Sequence, residues 1–130
     1  MAASLTAALL GVTHPHALAH LRTLQALPEV EQILLWDEDA VALAGARQAQ
    51  GQKVAQVSRD LDALLKRGDI LFAIVCVPTD MSPAICLRAL AAGVHLLAEK
   101  PIGRTAAEVE RVVVAAGGLR SRRQIGRAHV

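Results

Sequence analysis

Ile70-Leu71-Phe72-Ala73-Ile74-Val75-Cys76-Val77 is an unbroken run of eight apolar residues, bounded by Asp69 and Pro78. A short apolar run with turn residues at both ends fits a strand buried on both faces, as in a parallel sheet. The stretches on either side have a matching pattern. Ser58 is a candidate N-cap for a preceding helix that carries Leu61, Leu64 and Leu65 and ends at Gly68. After the turn Pro78-Thr79-Asp80, a second helix from about Ser82 to Ala92 presents Ile85, Leu87 and Leu90 before Gly93.

The alternation extends through the chain. Ser4 to Leu10 reads as a central strand. Pro15 opens a helix with Ala17, Leu21, Leu24 and Leu27 at helical spacing, and Pro28 stops it. Ile33 to Trp36 forms a second strand, followed by the acidic cluster Asp37-Glu38-Asp39 and an alanine-rich helix to about Gln50, with Gly51 as its C-terminal cap. Val54 to Val57 is a short third strand and Val94 to Ala98 a fifth. Thr105 with Glu108 forms a capping box for a last helix through Val112, Val113 and Ala116. Short strands alternating with helices predict an α/β fold: a doubly wound parallel sheet of about five strands with helices on both faces.

The 130 residues, 53% of them hydrophobic, suffice for one domain with a core, assigned to residues 1–118. Residues 119–130 are basic and unpatterned. Ile125-Gly126-Arg127-Ala128-His129-Val130 resembles a translated sequencing adapter, so this tail is expected to be non-native or disordered. A formal net charge of +2 gives no field that implies nucleic acid. No apolar run approaches the length of a membrane span, and Met1 to Leu10 lacks the basic start of a signal peptide. Cys76 and Cys86 lie in apolar stretches without metal or redox spacing, which suits buried thiols in a reducing cytoplasm.

Three constellations carry chemistry. Gly11-Val12-Thr13-His14-Pro15-His16 joins the first strand to the first helix, where backbone N–H groups can receive a pyrophosphate. Gly11 can make the tight turn, but Thr13 and His16 stand where Gly-x-Gly-x-x-Gly expects glycines. The alternative is a turn with no ligand. Asp37 lies 26 positions after Gly11, at the end of the second strand. An acid there can accept from a ribose 2′-hydroxyl and repels a 2′-phosphate, favouring NAD over NADP. It could equally cap the next helix. Glu99-Lys100-Pro101 ends the fifth strand, at the carboxyl edge where open α/β sheets bind ligands. A lysine there can donate a proton or hydrogen bond to a substrate oxygen as hydride moves, whereas the bland reading is a solvated loop lysine.

Together with Val77-Pro78-Thr79, the helix ending Ala89-Leu90-Ala91-Ala92-Gly93, and Val94-His95-Leu96-Leu97-Ala98-Glu99-Lys100-Pro101-Ile102, these features resemble the amino-terminal Rossmann domain of the Gfo/Idh/MocA oxidoreductases, from about residue 5 to 117. The resemblance implies NAD(P) contacts at Gly11, Thr13, His14, His16, Asp37, Val77, Pro78, Thr79, Glu99 and Lys100, with Lys100 catalytic or substrate-positioning. It also implies a second, substrate-binding domain that this chain lacks, and a full-length homo-oligomer. Ser82 stands where the family often has a histidine. The expected function is hydride transfer between NAD(P) and a sugar, polyol or related compound. Two alternatives remain: a non-catalytic dinucleotide-binding module, and a metal-binding protein. For the latter, His16 and His20 are four apart on one helical face with His14 nearby, but zinc needs a further ligand that is not evident in the sequence, and no metal is assigned. His95 is read as structural.

Overall fold

A computed structural model describes residues 4–127, with side chains described through Leu119. Five strands alternate with five helices: β1 (Leu5–Leu10), α1 (Ala17–Ala26), β2 (Val30–Trp36), α2 (Ala40–Gln50), β3 (Val54–Ser58), α3 (Leu61–Leu65), β4 (Ile70–Val75), α4 (Ser82–Ala91), β5 (His95–Ala98) and α5 (Ala106–Arg127). The strands form one sheet in the order β3-β2-β1-β4-β5, with every neighbouring pair parallel. The doubly wound architecture expected from the alternation is the observed one.

The apolar runs fill two cores at once, because successive strand side chains point to opposite faces. Ala7, Leu9, Ile33, Leu35, Ile74 and Cys76 pack with Ala17, Leu21 and Leu24 of α1 and Leu43 and Ala46 of α2. Their alternates, including Ala8, Leu10, Leu34, Trp36, Ala73, Val75 and Val77, pack with α3, α4 and Val112 and Leu119 of α5. Strand order reverses between β1 and β4, whose carboxyl ends diverge into connections on opposite faces, which is the crevice where such sheets take ligands.

Some local expectations are corrected. The ladder of β4 stops at Val75, although the Cys76 N–H still donates to the Leu10 carbonyl at 2.8 Å. Pro15 precedes α1, whose N-cap is His16. The α3 cap is Asp60, which accepts from the Ala63 N–H at 3.1 Å, while Ser58 Oγ instead accepts from the Asp60 N–H at 3.0 Å. Half of the Thr105/Glu108 capping box forms as expected: the Glu108 N–H donates to Thr105 Oγ1 at 3.1 Å. The returning carboxylate, however, accepts from the Arg104 N–H at 2.7 Å.

The largest departure is at the end of the chain. Helix α5 does not stop at Gly117-Gly118 but continues to Arg127. Leu119, seven residues after Val112, lies on the same helical face and is 4% exposed in the core. Each interior glycine costs about 1 kcal/mol of helix propensity, and burying one leucine returns about 1.5–3 kcal/mol, so the helix runs through. Helix α5 thus takes in residues 119–127, and residues 128–130 of the expected tail lie outside the described residues.

No helix among the described residues is long and apolar enough to cross a membrane. Both cysteines are buried free thiols.

Candidate functional site

The β1–α1 turn begins at Gly11, which has φ +103°. A Cβ placed there would lie 2.4 Å from the Cys76 carbonyl oxygen, so only glycine lets β1 end this close to β4. The Gly11 N–H donates to the Trp36 carbonyl at 2.7 Å, which extends the β1–β2 ladder to the end of β2. Asp37 follows and ties the two turns together. Its Oδ2 accepts from the Val12 N–H at 2.8 Å and its Oδ1 from the Asp39 N–H at 3.0 Å. Helix α2 is capped by the next acid but one, since Asp39 Oδ1 accepts from the N–H groups of Val41 and Ala42 at 3.0 Å each. The two readings of the acidic cluster thus divide: Asp39 caps, and Asp37 braces the glycine turn.

Between these turns and the end of β4 lies a cleft of about 330 Å³, lined by Thr13, Trp36, Asp37, Glu38, Asp39, Val77, Pro78 and Met81. It brings together four residues expected from the sequence: Thr13, Asp37, Val77 and Pro78. One wall is apolar (Val77, Pro78, Met81) and the other is acidic. This arrangement suits a flat aromatic base on one side and a hydroxyl-rich sugar on the other. Each Asp37 oxygen already holds one backbone N–H, but a carboxylate oxygen has two lone pairs, so a sugar hydroxyl can still be accepted. Met81 was not singled out from the sequence; its only signal is its place just after the Pro78 turn.

Glu99, His14 and His16 form a second group beside the same turn. Glu99 N–H donates to the Val75 carbonyl at 2.8 Å, which fixes the carboxylate at the sheet edge. Its Oε1 accepts from His16 Nδ1 at 2.7 Å and from His20 Nε2 at 3.1 Å. Hydrogen bonds from His16 and then His20 hold the Glu99 carboxyl well below its usual range, at about 2. His14 Nδ1 accepts from the His16 N–H at 2.9 Å, and the two rings lie 4.9 Å apart. The bulky residue at the third glycine position is therefore turned toward Glu99. Lys100 is exposed next to Glu99, and Thr79 is half-buried in the turn after β4; neither lines the cleft. Burial, with the Glu99 charge adding to it, pushes the Cys76 thiol up to about 11.

A glycine turn, an acid ending β2 and a cleft at the switch point of a parallel sheet define a dinucleotide-binding domain of the Rossmann type. Residues 6–126 match the GFO_IDH_MocA model, described as an oxidoreductase family with an NAD-binding Rossmann fold. The chain belongs to that family. Among solved structures it is similar to GenD2 from gentamicin A biosynthesis in complex with NAD, at 25% identity and TM-score 0.82, covering 92% of this chain and 33% of that one. An oxidoreductase domain protein from Kribbella flavida matches at 30% identity and TM-score 0.80, covering 90% and 32%. KijD10, a 3-ketoreductase from Actinomadura kijaniata in complex with NADP and TDP-benzene, matches at 25% identity and TM-score 0.77, covering 89% and 35%. The chain thus spans about a third of the length of these structures. No protein of curated function matches it.

Proposed function

We propose that this chain is the cofactor-binding domain of an oxidoreductase that moves hydride between NAD and a sugar, polyol or related hydroxyl or carbonyl compound. The carrying observation is the cleft that joins Thr13, Asp37, Val77 and Pro78 at the switch point of the sheet. The nicotinamide cofactor, when bound, accepts or supplies the hydride. The chain's own part is to bind and orient it. Val77, Pro78 and Met81 offer an apolar face to the adenine, Asp37 accepts from the ribose, and the Gly11–His16 turn faces the pyrophosphate with Thr13 as a hydroxyl donor. Glu99 and Lys100 stand at the carboxyl end of β5, where Lys100, its ammonium in solvent, is proposed to hold a proton toward the substrate oxygen. Hydride exchange between a carbonyl and a hydroxyl is supported by a neighbour named as a 3-ketoreductase in complex with NADP.

NAD is proposed over NADP because Asp37, Glu38 and Asp39 together line the sugar side of the cleft, and their charges oppose a 2′-phosphate. Substrate residues are proposed to come from a further domain outside this chain, and the setting is proposed to be cytoplasmic, which two buried free thiols suit. A non-catalytic dinucleotide-binding module is the second reading. It is favoured by one observation: His16 replaces a glycine of the phosphate turn and is engaged with Glu99.

Titration of NADH, NAD+ and NADP+ into the full chain tests the proposal. Saturable NAD(H) binding is expected, with NADP+ weaker. Replacement Asp37→Ala should weaken NADH by about 1.5–3 kcal/mol, the worth of a charged hydrogen bond, or roughly 10- to 150-fold. Failure of the folded chain to bind either nucleotide would overturn the reading.

A further inference from the structure

We propose that His20, Cys76 and Glu99 form a binding site for one divalent transition metal of the zinc class, with the fourth position open to water or to His16. The sequence shows only the histidines of His14-Pro15-His16 and His20. The fold adds what they lack, because β4 and β5 run parallel and end side by side beneath the first turn of α1. One donor atom from each of His20, Cys76 and Glu99 lies within 4.8 Å of the other two. Imidazole, thiolate and carboxylate are the three donor types zinc takes, and three protein ligands with one open position is the pattern of a reactive zinc site.

Each donor sits on regular structure: His20 in α1, Cys76 by its N–H bond to Leu10 directly after β4, and Glu99 by its N–H bond to Val75. The Cys76 thiol is fully buried, whereas the other buried thiol, Cys86, has Ser82 Oγ at 3.8 Å. The side chains of His20 and Glu99 are 25% and 21% exposed, which leaves an approach from solvent. His16 already reaches Glu99 Oε1 at 2.7 Å from the outer side. A rival set, His14, His16 and Glu99, has donor atoms equally close. It is disfavoured because either ring nitrogen of His14 would bind metal at the expense of an existing contact: Nδ1 already accepts the His16 N–H, and freeing the far nitrogen would put its proton on Nδ1 and leave that N–H without its acceptor. Metal binding at the proposed site releases the Cys76 proton to solvent and moves the His20 ring proton to the far nitrogen.

The proposed site shares Glu99 with the residues expected to contact the dinucleotide, so its test uses metal alone, with no nucleotide present. The full chain is loaded with Zn2+ or Co2+, dialysed and assayed for metal content, with folding checked by circular dichroism. One equivalent of Zn2+ should be retained, and the Co2+ form should show thiolate-to-cobalt charge-transfer absorption in the near ultraviolet. Cys76→Ala should abolish that band. His20→Gln and Glu99→Gln should each weaken Zn2+ by roughly 100-fold or more, since loss of even an outer-shell partner costs 10- to 100-fold. Folded chain that retains no metal overturns the proposal. So does retained Co2+ with no thiolate band, or with a band that survives Cys76→Ala, because the metal would then lie elsewhere.

Discussion

Gly11 and Asp37 do different kinds of work at adjoining positions. The need for glycine at position 11 is set by the Cys76 carbonyl behind it, so it holds whether or not a phosphate is in front. Gly11→Ala combines a positive-φ penalty of about 1–3 kcal/mol with a backbone collision, and should lower stability by about 3 kcal/mol or more in urea unfolding. Asp37→Ala also frees two backbone N–H groups, so a modest loss of stability should accompany the loss of NADH affinity, and the two readouts separate its roles. Glu99 supplies a pH dependence. Its folded pKa of about 2 lies below the ordinary 4.5, so its contribution to stability is complete above about 4.5 and is lost as pH falls toward 2. The stability advantage of the native chain over Glu99→Gln, followed by urea unfolding from pH 6 to 2, should therefore shrink across that window. A constant difference would mean that the histidines do not hold the carboxylate. None of the links at Glu99 could be read from the sequence, because its partners lie 83 and 79 residues away. The pair His16 and His20 and the separate Glu99 were visible in the sequence, and only the parallel placement of β5 beside β4 brings them together.

At the scale of the element, strand and helix positions were legible because buried parallel strands and amphipathic helices leave different periods in the sequence. The ends were less so. Ser58 and Asp60 are both good capping residues two apart, and the choice between them depends on where β3 releases the chain. The last helix shows the same limit in larger form. Glycines at 117 and 118 look like a stop signal, yet Leu119 is held in the core beside α4, and that tertiary contact outweighs local propensity. Leu119→Ala should therefore cost about 2–5 kcal/mol, as for other buried leucines, and a chain ending at residue 118 should melt below the full chain by a comparable margin. Thermal denaturation followed by circular dichroism measures both. Equal melting temperatures would place Leu119 outside the folding unit.

For the whole molecule, the sheet order explains why residues far apart in the chain share one cleft. With β1 central and the crossovers leaving on opposite faces, the β1–α1, β2–α2 and β4–α4 connections meet at one edge, bringing together Thr13, Asp37 and Pro78. That architecture was readable from alternating strands and helices, as were four residues of the cleft lining. The contribution of Met81 was not, because an apolar residue in a turn carries no periodic signal. Amide chemical-shift mapping during titration of NADH into the isotopically labelled chain tests the central claim most directly. The account predicts that the shifts cluster at Gly11–Thr13, Asp37–Asp39 and Val77–Met81, and that they saturate together. Shifts confined to another face, such as the α5 surface around Ala107 and Val114, or no shifts from a folded chain, would contradict it.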